Sequence, residues 1–294
     1  PDAWLINFSN PAGIVTEALL NHGGVKALGL CNVPFNMFKS IRESLSLPQA
    51  DFTYLGLNHL SWITAIVHEG KDYLRSALDM GLNSETMKNI PSSGFSKELI
   101  RQVGAIPSPY LEYYYFKEKK LKLLEGSEIT RGEKCMQIEE DLLQIYSDSE
   151  LHTKPELLSS RGGANYSEVA ISLVDAIHND KQEVHVVNLL NRGALDFMED
   201  SDAIEVGAVI GKDGAKPVKI EGFGNRHIID YMRMVKAYER ETVAAAVHGD
   251  EDAAMRALVM NPLVGDYQAA HACFQELKEA HKTYLPQFFD EAKS

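Results

Sequence analysis

The sequence predicts an α/β unit followed by an α+β body, on three observations. The opening stretch alternates short apolar runs with amphipathic helical patterns. After Pro48 the texture changes to closely spaced β-rich runs. Beyond Ser76 the apolar spacing is mostly helical, interrupted by a few further strands. The corresponding division places residues 1–49 in the α/β unit and residues 50–294 in the α+β body.

In order, Trp4 to Phe8 is a short apolar strand, broken at Ser9-Asn10-Pro11 because proline cannot extend a ladder. Ile14 to Leu20 is an amphipathic helix closed by Asn21-His22-Gly23-Gly24. Val25 to Leu30 is a second strand, followed by Cys31-Asn32-Val33-Pro34 and a helix from Phe35 to Leu45. Strand, helix, strand in this order implies a parallel pair. Phe52 to Leu57 and Ser61 to Val67 read as an antiparallel pair around Asn58-His59, with Gly70-Lys71-Asp72 as a turn. Helices then dominate to Tyr146, interrupted at Ile106-Pro107-Ser108-Pro109, and another runs from Ser167 to Asn179. Glu183 to Leu189 and Ala203 to Ile210 are strands, the second ending in a Lys212-Asp213-Gly214 turn. Helices follow from Ile228 onward.

With 45% hydrophobic and 24% charged residues, the 294-residue chain can bury a sizeable core. Its net charge of −13 argues against non-specific nucleic-acid binding, which rests on basic patches. It leaves room for a local cationic pocket. No apolar run approaches the roughly 20 residues of a membrane span, so no membrane partner is expected. The three cysteines, Cys31, Cys135 and Cys273, show no CxxC spacing and suggest a reducing compartment. The chain opens at Pro1, close to a strand with no element before it, and further sequence upstream is expected.

Cys31 lies just past a parallel strand, where open α/β sheets place ligands. His59 occupies a hairpin loop. Together a thiolate and an imidazole can hold a divalent metal ion; separately, each reads as a buried small group and a satisfied structural histidine. Tyr110 opens an aromatic run with Tyr113, Tyr114, Tyr115 and Phe116. It reads either as a helix start with a core face or as a phenolic base held near a cation. Arg131 and Arg161 are surface arginines or anion clamps, since guanidinium matches phosphate in a bidentate way. The acidic run Glu139-Glu140-Asp141 reads as a solvated helix face. There is no GxGxxG, Walker loop, HExxH or GxSxG.

An ordered set of motifs resembles glycoside hydrolase family 4. The segments are Ile6-Asn7-Phe8-Ser9-Asn10-Pro11-Ala12-Gly13, Gly29-Leu30-Cys31-Asn32-Val33-Pro34, Gly56-Leu57-Asn58-His59-Leu60-Ser61-Trp62, Pro107-Ser108-Pro109-Tyr110-Leu111-Glu112-Tyr113-Tyr114, Arg161-Gly162-Gly163-Ala164-Asn165-Tyr166-Ser167 and Asn191-Arg192-Gly193-Ala194. The resemblance implies a fold similar to lactate and malate dehydrogenases: the end of a Rossmann sheet, then an α+β domain for substrate, metal and oligomer contacts. It implies a 6-phospho-β-glucosidase using NAD and a divalent metal, usually manganese. This NAD-dependent family departs from the usual two-carboxylate glycosidases.

In the implied mechanism NAD takes hydride from C3 of the sugar, the resulting ketone acidifies C2–H, the aglycone leaves by elimination, and water and hydride then return. The resemblance assigns the metal to Cys31 and His59, the C2 base to Tyr110, a contact with sugar or nicotinamide to Asn10, and phosphate to Arg131 or, second, Arg161. It assigns β-specificity to Asn32, because an amide has no proton to give an axial leaving group at neutral pH. The implied substrates are phosphorylated disaccharides or aryl 6-phospho-β-glucosides. A cytoplasmic location and a dimer or tetramer follow from the same resemblance. The family's Gly-rich dinucleotide turn is not in this chain, which is therefore expected to be inactive alone. Two alternatives remain at this stage: a hydroxy-acid dehydrogenase, and a non-catalytic sugar-phosphate-binding or oligomerisation fragment.

Overall fold

The structure is a computed structural model that describes residues 3–82, 94–161 and 165–289. Its strands are β1 (Trp4–Asn7), β2 (Lys26–Gly29), β3 (Asp51–Leu57), β4 (Leu60–His68), β5 (Lys71–Asp72), β6 (Ile106–Pro107), β7 (Glu183–Leu190), β8 (Ala203–Gly211) and β9 (Gly214–Pro217). They form one mixed sheet in the order β1-β2-β7-β8-β3-β4-β5, with β6 also on β4 and β9 on β8.

The first βαβ unit is as expected. Strands β1 and β2 pair in parallel from Trp4↔Lys26 to Asn7↔Gly29, and helix α1 (Ala12–His22) crosses between them. Helix α2 (Val33–Leu45) begins two residues before the expected Phe35. Pro34 in its first turn explains this, since a missing N–H costs nothing there.

From β2 onward every pairing is antiparallel. Strand β7 reaches back from far along the chain to pair Asn188 with Gly29 of β2. Strand β8 then joins β7 to the β3–β4 hairpin. Two expectations need correction. Lys71-Asp72 is not turn but β5, pairing with Val67 and His68. Ile106-Pro107, expected only to interrupt helices, is strand β6, paired with Ile63 and Trp62. Proline disguised it: Pro marks a break in sequence but is tolerated on an edge strand.

The remaining helices are α3 (Leu74–Met80), α4 (Lys97–Val103), α5 (Glu112–Tyr115), α6 (Lys117–Glu125), α7 (Arg131–Tyr146), α8 (Leu158–Arg161), α9 (Tyr166–His178), α10 (Arg226–His248), α11 (Glu251–Met260) and α12 (Tyr267–Ala280). Short α8 had no signal in the sequence reading. Part of the helical stretch expected from Ser76 to Tyr146, and the Gly162-Gly163-Ala164 portion of one motif, lie outside the described residues. Glu139, Glu140 and Asp141 lie on the exposed face of α7, as expected.

Helix α7 starts at a capping box: Glu133 N donates to Thr130 Oγ1 at 3.2 Å, and Thr130 N donates to Glu133 Oε2 at 2.7 Å. Helix α10 is capped by Asn225 and ends at Gly249, whose φ of 68° suits glycine. It buries Ile228, Ile229, Met232, Val235 and Val243 at three- and four-residue spacing. Each fully buried aliphatic side chain contributes about 1.5–3 kcal/mol. The main core gathers Trp62, Tyr54, Leu55, Leu57, Ile63 and Ile66 from the β3–β4 hairpin with Met37 and Ile41 of α2.

Candidate functional site

The sheet register creates a row that crosses six strands. Asn7 pairs with Gly29, Gly29 with Asn188, Asn188 with Glu205, Glu205 with Gly56, and Gly56 with Ser61. Paired residues share a face. The polar members of the row therefore point the same way, and the two glycines open space between them. That space is used. A Cβ on Gly29 would lie 2.3 Å from Thr16 Oγ1 of α1 and 2.8 Å from Asn188 Cβ, so only glycine lets α1 pack here.

At the centre of the row is Glu205, 1% exposed. Its Oε1 accepts from Asn188 Nδ2 at 3.0 Å and Asn58 Nδ2 at 3.2 Å, and its Oε2 accepts from the Tyr54 hydroxyl at 2.9 Å. The Tyr54 and Ser61 hydroxyls lie 2.5 Å apart. All three donors to Glu205 are uncharged. Burial pushes the Glu205 carboxyl above its ordinary range, and the three donors only partly oppose this.

Asn58 connects this carboxylate to the candidate ligands. Its Oδ1 accepts from Ala12 N in the first turn of α1 at 3.1 Å, and its side chain lies close enough to the Cys31 sulfur to favour the thiolate. Cys31 follows β2 and is 9% exposed. Burial pushes its thiol far up, and the negative charge of Glu205 pushes it further. Without a cation, Cys31 is a neutral thiol.

His59 comes next in the two-residue turn between Leu57 and Leu60, and has a φ of 67°. A positive φ is uncommon for a residue with a Cβ and is costly unless its surroundings hold it. Burial lowers the His59 pKa to about 4, so its imidazole is neutral at ordinary pH. The Tyr110 ring stacks on it at a centroid distance of 3.6 Å and an interplanar angle of 17°. The local fold accounts for this contact. Strand β4 starts directly after His59, β6 pairs alongside it, and Ser108 N donates to Ser61 O at 2.9 Å. The 3-10 turn Pro109–Leu111 then brings Tyr110 over the hairpin.

Asn32 is buried at the start of α2, and Asn10 is exposed just before α1. Farther out, Arg131 Nη2 donates to the carbonyls of Arg161 at 2.8 Å and Ser160 at 3.4 Å, which places the two candidate arginines together at the end of α8. The positive charge of Arg161 also reaches Tyr166, whose ring packs on Phe8 at 5.0 Å. The sequence reading singled out Cys31, His59 and Tyr110 but missed Asn58 as a connector and missed Tyr54, Asn188 and Glu205 altogether. A lone Glu in an apolar strand is a weak sequence signal, although a buried carboxylate always needs an explanation.

Among the described residues, no three His, Cys, Asp or Glu side chains gather as a complete metal cage. The donor set still suits a divalent transition ion. It offers a sulfur from Cys31 and a neutral imidazole from His59, with the Glu205 carboxylate set back behind Asn58, and it leaves positions open to ligands from outside the chain.

Comparison with known proteins identifies the family. Residues 1–47 match the profile of "Family 4 glycosyl hydrolase", and residues 54–264 match that of "Family 4 glycosyl hydrolase C-terminal domain". The chain is 36% identical to a probable 6-phospho-β-glucosidase of Bacillus subtilis, over 100% of its own length and 68% of that protein's. It is 36% identical to a 6-phospho-β-glucosidase of Escherichia coli, over 99% of its own length and 67% of the other's. A 6-phospho-β-glucosidase structure from Thermotoga maritima, solved with NAD and glucose-6-phosphate, superposes with a TM-score of 0.86 at 31% identity, covering 97% of this chain and 67% of that one. Another structure of that enzyme contains manganese, NAD+ and glucose-6-phosphate. The chain belongs to family 4 of the glycosyl hydrolases.

Proposed function

We propose that this protein hydrolyses 6-phospho-β-glucosides, phosphorylated disaccharides or aryl glycosides, with NAD and a divalent metal ion, Mn²⁺ foremost. The observation that carries the proposal is the stacked His59–Tyr110 pair beside the Cys31–Asn58–Glu205 chain. It supports a ligand and a base facing one sugar. The Bacillus subtilis and Escherichia coli relatives and the Thermotoga maritima complexes support the substrate class and the cofactors.

In this reading Cys31 and His59 hold the metal, which would supply Lewis-acid polarisation of the sugar's oxygens. NAD would supply reversible hydride transfer at C3. The remaining work falls to the chain itself. Tyr110, placed against His59, takes the proton from C2. Arg131, which also donates to carbonyls at the end of α8, holds the phosphate, with Arg161 beside it as the second candidate. Asn10, exposed just before α1, orients the sugar or the nicotinamide. Asn32 next to Cys31 gives the β-linked substrate its preference, since an amide cannot act as the acid that an axial leaving group needs.

We assign residues 1–49 to the end of the dinucleotide-binding domain and residues 50–294 to substrate, metal and subunit contacts. A homo-oligomer in the cytoplasm fits three free thiols and the exposed apolar residues Leu121, Leu124, Met136 and Leu143 on α6 and α7. No described helix is long and apolar enough to cross a membrane. Family membership sets aside the hydroxy-acid dehydrogenase reading.

The test is hydrolysis of a chromogenic 6-phospho-β-glucoside by the protein that carries this chain, with each cofactor omitted in turn under reducing conditions. Cleavage that needs both NAD and Mn²⁺ is expected. Cleavage without NAD would sink the redox reading, and preference for the α-linked substrate would overturn the role of Asn32.

A further inference from the structure

We propose that Glu205 is the buried counter-charge of the cation site: a positioning residue that holds Asn58 against Cys31 and whose negative charge the bound metal ion neutralises. The inference rests on the reading of Cys31 and His59 as metal ligands.

Three observations carry it. The carboxylate is 1% exposed, yet its three partners, Tyr54, Asn58 and Asn188, are all neutral. Buried charges in proteins are paired or lie beside metals, because an isolated one is costly. Among the described residues, the other buried carboxylates are paired with a Lys or Arg: Glu112 with Lys120, Glu17 and Glu239 with the shared Lys236, and Asp202 with Arg240. Glu205 stands apart from these pairs. Second, one amide joins it to the site, since Asn58 donates to Glu205 and also meets the Cys31 sulfur. The neighbour of Asn58 is His59, held at a φ of 67°. Fixing Asn58 therefore fixes both ends of the candidate ligand pair. Third, the position is enforced by the sheet: Glu205 faces Gly56 on one side and Asn188 on the other.

The charge has opposite consequences with and without metal. In the metal-free protein an uncompensated buried carboxylate is a liability, whereas with a divalent cation nearby it adds attraction. A purely structural role predicts the reverse for the metal-free protein, because removing a satisfied buried group destabilises it.

The experiment measures Mn²⁺ binding by the loss of the free-ion electron paramagnetic resonance signal, and Co²⁺ binding by the thiolate charge-transfer band, for wild type, Glu205→Gln, Glu205→Asp and Cys31→Ser. Melting of the metal-free proteins is recorded alongside. Glu205→Gln is expected to weaken Mn²⁺ binding by about 10–100-fold, the usual effect of losing an outer-shell partner. It should melt no lower than wild type without metal. Glu205→Asp keeps the charge and should bind better than Glu205→Gln. Equal binding by wild type and Glu205→Gln, with Cys31→Ser impaired, overturns this inference alone. A lower metal-free melting point with equal losses in the Gln and Asp variants also overturns it, in favour of a structural role. If wild type binds no metal, or Cys31→Ser binds as wild type does, the ligand reading fails and takes this inference with it.

Discussion

Replacing Lys236 with methionine should be among the most destabilising single changes in the chain that creates no cavity. Lys236 lies on α10 and is 1% exposed; its Nζ is 2.7 Å from Glu17 Oε2 of α1 and 2.6 Å from Glu239 Oε2. Glu17 Oε2 also accepts from Ala203 N at 2.8 Å. One ammonium thus serves two buried carboxylates on two elements. Burial alone would lower the Lys236 pKa, but Glu239 and Glu17 outweigh it and raise it. Burial also raises Glu239, which a single shared lysine does not fully offset. Methionine matches the length of the lysine stem but leaves both acids without a cation. Breaking a buried pair in this way costs about 3–5 kcal/mol. With about 2.1 cal/mol/K of unfolding entropy per residue and 294 residues, that lowers the melting temperature by about 5–8 °C. The sign of the pH dependence is also fixed. Acids whose folded pKa is raised bind protons preferentially in the folded state, so the deficit of Lys236→Met should shrink as pH falls from neutrality. The wild-type lysine has a raised pKa, so its contribution is complete below 10.5 and is lost only at more alkaline pH. Denaturant titrations followed by Trp62 fluorescence across this range would measure both. A loss under about 1 kcal/mol at neutral pH, or a deficit that grows on acidification, would refute the reasoning.

Gly29→Ala places a methyl 2.3 Å from Thr16 Oγ1 and should cost at least the 1–3 kcal/mol typical of overpacking, about that range by thermal melting. Thr130→Ala removes the capping box of α7, with an expected loss of about 1 kcal/mol in the same assay. His59, with its pKa lowered from 6.5 to about 4, contributes stability that is complete above 6.5 and lost as pH falls toward 4; His59→Asn should flatten that part of the stability profile. Cys31, buried and held as a neutral thiol, should react slowly with an aromatic disulfide reagent at neutral pH while exposed Cys273 reacts quickly; a fast-reacting Cys31 would show that the site is open.

The parts of the fold legible in the sequence were local. The β1–α1–β2 unit and the β3–β4 hairpin followed from apolar runs separated by Pro11, Gly23-Gly24 and Asn58-His59, all within short stretches of chain. The insertion of β7 between β2 and β8 was not legible, because Glu183–Leu190 has the same pattern wherever it pairs. Strand β6 was hidden behind its own proline. The same divide runs through the site. Cys31, His59 and Tyr110 sit in motif segments with recognisable residue types, so chemistry could nominate them. Glu205 lies in Ala-Ile-Glu-Val-Gly, an ordinary strand with one acid, and its meaning depends on which strands flank it. Arg131 was nominated as an anion clamp; its contacts with the Ser160 and Arg161 carbonyls required α8, which carries no distinctive pattern of its own.

The row from Asn7 to Ser61 also has a bearing on how the protein folds. The three groups that cradle Glu205 lie 17, 147 and 151 residues from it in the chain. Contacts this distant are made late and slowly, after the entropy of closing large loops has been overcome. The β7–β8 hairpin can bring Asn188 to Glu205 by itself, but the acid meets Asn58 and Tyr54 only when β3 has joined β8. Nascent or partly folded chains should therefore carry the candidate ligands but not their arrangement, and metal capture should coincide with the last step of folding.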